Sequence, residues 1–352
     1  MSVARLVCIL CLLLPGISVA GWAQSAQPAP APASQPIRLD VVVDTKSGQP
    51  VTNLDEKDFT VLDNKAARPI THFRNLTPAD EPVKVIVFLD AVNTPYSIVA
   101  FARQGVEKFL KLNEGQLADP TTIAVLTDQG AQLESNFSTD GSALSDALER
   151  REIGLRQITR DSEWSGDERL QICMKALNQL ISFAGTVPGR KIVLWISPGW
   201  PILSGPRMYL DSRQEDQIFN QIVNVSTQMR ATKMTLYNIN PIGVGESLQA
   251  ADYYETFVKG VAKPNQVQLG NLAVQVLAVQ SGGLAIESNS DVTGNMQRCV
   301  NDAKSWYEIG FDPLPADNAN EYHHIEIKVD RPGVVARTRD GYYANPVAIQ
   351  AR

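Results

Sequence analysis

The sequence predicts an α/β protein in which a doubly wound, mostly parallel sheet is inserted in a small β-sandwich formed by the N- and C-terminal flanks. In the middle of the chain, amphipathic stretches alternate with apolar runs, namely VIVFL, TIAVL, KIVLWI and MTLYNI. This alternation is typical of buried parallel strands with helices on both faces of the sheet. At both ends the hydrophobic period is two, which indicates half-buried strands. Neither end has enough strands to be stable alone, so we expect the flanks to combine.

Composition and charge limit the class of protein and the class of partner. The 352 residues are 44% hydrophobic and 20% charged, as in ordinary globular proteins. A chain of this length has room for about two domains. The net charge of −6 provides no basic surface for nucleic acid. We therefore expect a globular protein without a nucleic-acid partner.

Residues 1–23 have the pattern of a secretory signal peptide. Arg5 precedes an apolar run that begins at Leu6, and small residues lead up to a cleavage site after Ala23. A membrane anchor, the alternative interpretation, needs about 20 apolar residues, whereas Pro15 interrupts this run at roughly half that length. The sequence therefore predicts an exported protein, periplasmic or extracellular, with no membrane span after signal removal.

The N-terminal flank is predicted to contain a linker and a group of strands. Residues 24–36 are rich in Pro and Ala, which is typical of an extended linker. Residues 37–79 contain short strands separated by turns. Strict alternation in the first strand places four apolar residues on one face: Ile37, Leu39, Val41 and Val43.

The α/β unit is assigned to residues 80–310, and its helices have recognisable ends. One predicted helix covers residues 97–110, with Phe101 included in its apolar stripe. Another begins after three capping candidates, Ser138, Thr139 and Asp140, and a third ends near Gly185. Between the first and second of these helices, TIAVLTDQGAQLESNFS is predicted to form an antiparallel edge pair around a short turn.

The C-terminal flank completes the predicted sandwich. Residues 311–346 contain YHHIEIKV, in which apolar and polar residues alternate, and a further strand after a Pro-Gly turn. Residues 347–352 are a short tail.

Two cysteines, Cys173 and Cys299, remain after signal removal. An exported protein allows one disulfide between them, and two buried free thiols are the alternative, which we favour. With three histidines, the chain has too few Cys and His residues at suitable spacing for a zinc site.

Four stretches carry a resemblance to a known family: VKVIVFLDAVNT, PGRKIVLWISPGWP, SGGLAIES with the following WYEIGFDP, and HHIEIKVDRPGVVARTRDGYYA. Together with the L–DF–V–DN pattern that starts at Leu54, they resemble von Willebrand factor A (vWA)-related proteins known mainly from the Acidobacteria. The resemblance covers nearly all of residues 37–346. It implies a vWA-like domain with a binding function and no catalytic activity.

The resemblance also implies a degenerate metal-ion-dependent adhesion site. In the wider family, D-x-S-x-S on a first loop, a Thr on a second loop and an Asp on a third hold Mg²⁺ or Mn²⁺. This sequence has Asp90 and Thr94 at the outer positions of the first loop, but Val92 stands at the first serine. Two ligands imply Mg²⁺ at low occupancy at most. The alternative is that Asp90 caps the following helix or accepts hydrogen bonds from loop amides.

The other predicted site residues lie at the same edge of the sheet, where open α/β sheets present ligands. Asn93 is one position out of register with the motif, and Ser165 is the hydroxyl nearest to the second-loop position. Ser197 follows the strand at which the third acid is expected, and Trp200 is predicted as an exposed partner contact there, with packing in the core or at its rim as the alternative. The predicted function is an exported module that binds a protein or an extracellular ligand. The alternatives are a metal-free scaffolding protein of the cell envelope and, least favoured, a hydrolase that uses Ser197.

Overall fold

The protein is described by a computed structural model that covers residues 36–151, 163–201, 210–243 and 253–346. The predicted signal peptide, the linker up to residue 35 and the C-terminal tail lie outside the described residues. The described chain forms a central seven-stranded mixed sheet and two four-stranded antiparallel sheets. The predicted mixed α/β class is therefore confirmed.

The elements are numbered in chain order over the described residues. The strands are β1 (Ile37–Thr45), β2 (Phe59–Asp63), β3 (Ala66–Arg68), β4 (Ile70–Leu76), β5 (Val83–Asp90), β6 (Gln116–Thr127), β7 (Gly130–Leu133), β8 (Ser138–Asp140), β9 (Arg190–Ile196), β10 (Met234–Ile239), β11 (Ala285–Ile286), β12 (Trp306–Phe311), β13 (Glu321–Val329), β14 (Val334–Arg337) and β15 (Gly341–Ala344). The α-helices are α1 (Tyr96–Leu110), α2 (Gly141–Glu149), α3 (Glu163–Thr186), α4 (Ser212–Ala231), α5 (Val274–Gln280) and α6 (Val292–Val300).

The central sheet has the strand order β11-β10-β9-β5-β6-β7, with β8 paired to β6. The strands from β11 to β6 are parallel, and β7 runs antiparallel at the edge. The continuous apolar runs are explained by burial on both faces. In β5, Ile86 and Phe88 pack with α3, α4 and α5, whereas Val85 and Val87 pack with α1, α2 and α6. Helices therefore cover both faces of the sheet.

The predicted helix over residues 97–110 corresponds to α1, but one member of its predicted stripe is misplaced. The buried face contains Val99, Ala102 and Val106 at helical spacing, whereas Phe101 is 45% exposed. Because successive helical residues are about 100° apart, Phe101 lies beside the buried face. The capping prediction for Asp140 is confirmed, since its carboxylate accepts a hydrogen bond from the Ala143 amide at 2.9 Å.

The two antiparallel sheets draw strands from both flanks and share one hydrophobic core. Their strand orders are β14-β1-β12-β4 and β15-β13-β2-β3. The four residues predicted to share a face of β1 all lie in this core: Ile37, Leu39, Val41 and Val43. Strands from the two ends of the chain pair directly, β1 with β12 and β2 with β13.

The strand β12 lies across the predicted boundary at residue 310. Tyr307 and Ile309 point into the core of the antiparallel sheets, whereas Trp306 packs in the core of the central sheet. Every residue of β12 is buried, so the strand lacks the polar alternation that marks a half-exposed strand. The boundary set from the sequence therefore falls inside a strand of the antiparallel layer.

Both cysteines are buried free thiols, which was the favoured alternative. Cys173 lies in the core on one face of the central sheet and Cys299 in the core on the other face, so the sheet separates them. Among the described helices, none combines the length and apolar character needed to cross a bilayer.

Candidate functional site

The candidate site lies at the C-terminal edge of the central sheet. Five parallel strands end there, and four of them are terminated or directly followed by Asp90, Ser197, Asn240 or Glu287. Because the carboxyl ends of parallel strands meet at one edge, the chain brings together residues nearly 200 positions apart. The arrangement predicted from Asp90 and Ser197 is therefore present in the fold.

Asp90 is fully buried, and both of its carboxylate oxygens accept hydrogen bonds. Oδ1 accepts from the backbone amides of Val92 and Asn93, both at 2.9 Å. Oδ2 accepts from Nδ2 of Asn93 at 2.8 Å and from Oγ of Ser197 at 2.8 Å. The indole Nε1 of Trp195 lies 3.4 Å from the same oxygen. The carboxylate thus joins the loop after β5 to the end of β9.

Asn93 connects this loop to helix α3. In addition to its bond with Asp90, its Nδ2 atom lies 3.0 Å from Sγ of Cys173, and Arg169 donates to its Oδ1 at 3.4 Å. Asn93 and Thr94 are both buried. The residue that is out of register in the adhesion-site motif therefore points inward and holds the loop against the helix.

The position of Cys173 favours the protonated form of its thiol. Burial raises the pKa of Cys173 well above its ordinary value, and the negative charge of Asp90 raises it further. Because a thiolate is the reactive form, this shift of the pKa disfavours a nucleophilic role for Cys173.

Ser197 and Trp200 form the turn after β9. Ser197 donates to Asp90 and accepts from the Gly199 amide at 3.2 Å, so its hydroxyl proton is engaged by a carboxylate. The expectation that Trp200 is exposed is wrong, because only 4% of the residue is accessible. Its ring packs edge-on against Trp195, with centroids 5.2 Å apart, and the large apolar surface is thereby removed from water.

The remaining predicted site residue, Ser165, falls within α3, and its side chain lies outside the described residues. Asp167, two residues further along the same helix, is exposed. The structure therefore connects Asp90, Asn93 and Ser197 directly.

The donors around Asp90 do not fit a metal ion in this arrangement. A metal ligand needs a lone pair directed at the ion, whereas N–H and O–H donors already surround both carboxylate oxygens. The amide nitrogen of Asn93, a donor, faces the carboxylate, and Val92 has no ligand atom to offer. No cluster of three or more His, Cys, Asp or Glu side chains suited to a metal occurs in the described part of the chain. The alternative reading of Asp90, as an acceptor for loop amides, matches these contacts.

A second polar group at this edge was not predicted from the sequence. Nδ2 of Asn240 donates to the carboxylate of Glu287, and Oδ1 of Asn240 accepts from the Ile242 amide at 2.9 Å. Gln275, at the start of α5, donates to Glu287 at 3.4 Å. The pattern that identified Asp90 could also have identified Asn240 and Glu287, since each of them directly follows a parallel strand.

Two large apolar side chains are exposed shortly after the ends of β5 and β10. Tyr96, the first residue of α1, is 65% exposed, and Ile242, three residues after β10 ends, is 39% exposed. Exposed apolar side chains therefore lie at the same edge of the sheet as the buried hydrogen bonds of Asp90.

Comparisons with known proteins assign no family to the chain: no family model matches it, and no curated protein matches it. Among solved structures, it is similar to a D319A mutant of the PilB minor pilin from Streptococcus sanguinis, at 9% identity and a TM-score of 0.32, over 63% of this chain and 62% of that chain. It is also similar to the human COPII-coat protein Sec24c, at 9% identity and a TM-score of 0.34, over 76% of this chain and 44% of that chain. A third similar structure is manganese-loaded TRAP protein from Plasmodium vivax, at 8% identity and a TM-score of 0.34, over 77% of this chain and 98% of that chain. This chain therefore spans less than two thirds of the pilin and Sec24c chains.

Proposed function

We propose that the protein is an exported vWA-like module that binds a protein or an extracellular ligand at the C-terminal edge of its central sheet, without a metal ion. The observation that carries this proposal is the layout of the sheet. A central strand ends at Asp90, an antiparallel edge strand follows, and further strand–helix units complete the sheet. This is the layout on which the resemblance to vWA domains depends.

The exposed side chains at this edge support an interaction surface there. Tyr96 and Ile242 present apolar area to water, and aromatic side chains contribute a large part of the binding free energy in protein interfaces. Polar groups of Asn240 and Glu287 lie beside Ile242. A mixed surface of this kind suits a protein partner with an apolar centre and a polar rim.

The hydrogen bonds of Asp90 support the metal-free form of the proposal. In this form, Asp90 positions the loop that leads to Tyr96 and does not contact the partner itself. The scaffolding alternative shares this metal independence, and it differs in requiring no specific partner at the C-terminal edge.

Site-specific photo-crosslinking in cells that naturally produce the protein separates these alternatives. A photoreactive amino acid is placed at Tyr96 or Ile242, and at Val335 as an exposed control on β14, which is 49% exposed. We expect one discrete crosslinked product from the first two positions and none from the control, with the same yield in Mg²⁺ and in EDTA. Equal labelling from all three positions would favour the scaffolding alternative, and a requirement for Mg²⁺ would contradict the metal-free mechanism.

Export is tested separately with a reporter that is active only outside the cytoplasm, fused after residue 346. Activity that disappears when residues 1–23 are deleted is the expected result. Activity that is unaffected by the deletion would contradict export through this segment.

A further inference from the structure

A cavity of about 220 Å³ lies at the N-terminal edge of the central sheet, on the opposite edge from Asp90. Its walls come from β1 and β12 of one antiparallel sheet, from the last turn of α4 and the first residues of β10, and from the segment before β15. The cavity therefore lies where the central layer meets the antiparallel layer, and none of the residues discussed above as a site belongs to it.

The lining has an excess of positive charge. Four of its side chains are cationic and two are carboxylates, which leaves two positive charges in excess; these residues are Arg38, Arg230, Lys233, Arg339, Asp40 and Glu308. The rest of the lining is uncharged. An excess of this sign at a water-accessible cavity attracts anions.

The two carboxylates already have cationic partners. Oε1 of Glu308 accepts from Arg38 at 2.9 Å, and Oε2 accepts from Lys233 at 3.1 Å. Oδ2 of Asp40 lies 3.6 Å from Nε of Arg190, a buried arginine that is not part of the lining. Lys233 also donates to Glu81, outside the lining, at 2.7 Å. Three carboxylates therefore balance Arg38, Lys233 and Arg190, and the excess charge is located on the other two cations of the cavity.

Those two cations are Arg230 and Arg339. Within the described part of the chain, neither guanidinium has a carboxylate within ion-pair distance or a side-chain hydrogen bond. Arg339 is only 9% exposed. Burial and, after it, the positive charge of Arg230 lower the pKa of Arg339 to about 10, so Arg339 is still charged at neutral pH.

A buried cation without an ion-pair partner is unfavourable, because it loses hydration and gains no compensating interaction at close range. A bound anion would supply that interaction. Guanidinium groups present planar pairs of N–H donors that match the oxygen atoms of phosphate and carboxylate groups. The cavity is smaller than the roughly 300–1,000 Å³ of sites for drug-sized ligands, so the bound group is small.

We propose that Arg230 and Arg339 bind a small dianion of the phosphate class in this cavity, as inorganic phosphate or as the phosphate group of a monoester. The charge of a phosphate dianion equals the excess charge of the lining. The ligand has access from solvent past Arg38, whose side chain is 54% exposed. This inference does not depend on the proposed interaction at the opposite edge of the sheet.

The test is isothermal titration of the purified full chain with inorganic phosphate at constant ionic strength. We expect saturable binding to the unaltered protein and a loss of affinity of about 10- to 100-fold in Arg339→Gln, since hydrogen bonds to charged groups contribute on this scale. Arg103→Gln on α1 is the matched control, because it removes the same charge away from the cavity, and its affinity should be unchanged. If Arg339→Gln does not fold, Arg230→Gln decides the outcome.

A second titration with glycerol phosphate distinguishes the two sources of the group. Displacement of inorganic phosphate by the monoester supports a ligand that carries the ester, whereas binding of inorganic phosphate alone supports the free ion. Absence of binding by either compound overturns the proposal. The same affinity for phosphate in the Arg339→Gln, Arg230→Gln and control variants also overturns it, because binding would then be independent of the cavity.

Discussion

Replacing Asp90 by alanine removes the acceptor of four hydrogen bonds of 2.8–2.9 Å, and the structure determines the size of the expected loss. The Ser197 hydroxyl is able to rotate to another acceptor, and Nδ2 of Asn93 keeps Sγ of Cys173 at 3.0 Å. The buried backbone N–H groups of Val92 and Asn93 lose the acceptor that they have in the native protein. Each buried donor without a partner costs about 1–3 kcal/mol. With local relaxation, we expect the free energy of unfolding to fall by about 3–5 kcal/mol, a large part of the roughly 5–15 kcal/mol typical of a domain.

Urea unfolding followed by tryptophan fluorescence measures this loss, and two further variants calibrate it. Asp90→Asn keeps one acceptor oxygen but turns an amide donor toward the donors on Oδ2, so we expect a smaller loss of about 1–3 kcal/mol. Asp146→Ala makes the same change on the exposed face of α2 and should stay within about 0.5 kcal/mol of the unaltered protein.

Two results would refute the reasoning. If Asp90→Ala and Asp146→Ala unfold at the same urea concentration, the hydrogen bonds at Asp90 do not anchor the loop. If Mg²⁺ raises the unfolding midpoint of the unaltered protein but not that of Asp90→Ala, a metal binds where the structure has N–H and O–H donors, because a ligand of the native state must stabilise it.

Three other predictions concern the antiparallel layer, the thiols and a tight turn. Burial alone would raise the pKa of Asp63, but hydrogen bonds from His323, a backbone amide and a tyrosine outweigh burial and lower the pKa. The stabilising contribution of the Asp63 carboxylate is therefore present above the unfolded pKa of about 3.9. This contribution is lost as pH falls through the lower folded pKa; Asp63→Asn should therefore flatten the acid side of the stability profile below about pH 4, and an unchanged profile would contradict the assignment. Both cysteines are buried, and burial raises the pKa of each thiol. We therefore expect a thiol reagent to modify them only in denaturant. Rapid modification of the native protein would show that the core opens. Gly189 has φ +84°, and a Cβ there would lie 2.0 Å from a backbone oxygen. Gly130 has φ +110° but open space around it, so Gly189→Ala should lower the midpoint of thermal unfolding clearly more than Gly130→Ala. Equal losses would mean that backbone strain, and not the close contact, determines the cost.

Much of the fold was predictable because its signals are local. Hydrophobic runs with no polar alternation predicted β5, β9 and β10 as strands buried on both faces, and helical spacing predicted α1. The cap at Asp140 is formed by residues three positions apart, so the chain segment itself specifies it.

The site was predictable only in its location. A strand end in a parallel sheet indicated where Asp90 and Ser197 lie, but Asn240 and Glu287 follow strands in the same way and were missed. The exposure of Trp200 was predicted wrongly, because whether a ring at a strand end is covered depends on how the following turn packs.

The sequence by itself determined the elements, the class of fold and the edge of the sheet at which polar residues gather, because periodicity and capping act over a few residues. Only the tertiary structure decided which groups meet. Asp90 and Ser197 are 107 positions apart, and the arginines 230 and 339 come from different layers. Contacts of this kind form when strands pair and layers pack, and no local pattern records them. The hydrogen bond from Ser197 to Asp90 and the lack of an ion pair at Arg339 within the described chain are both consequences of that packing.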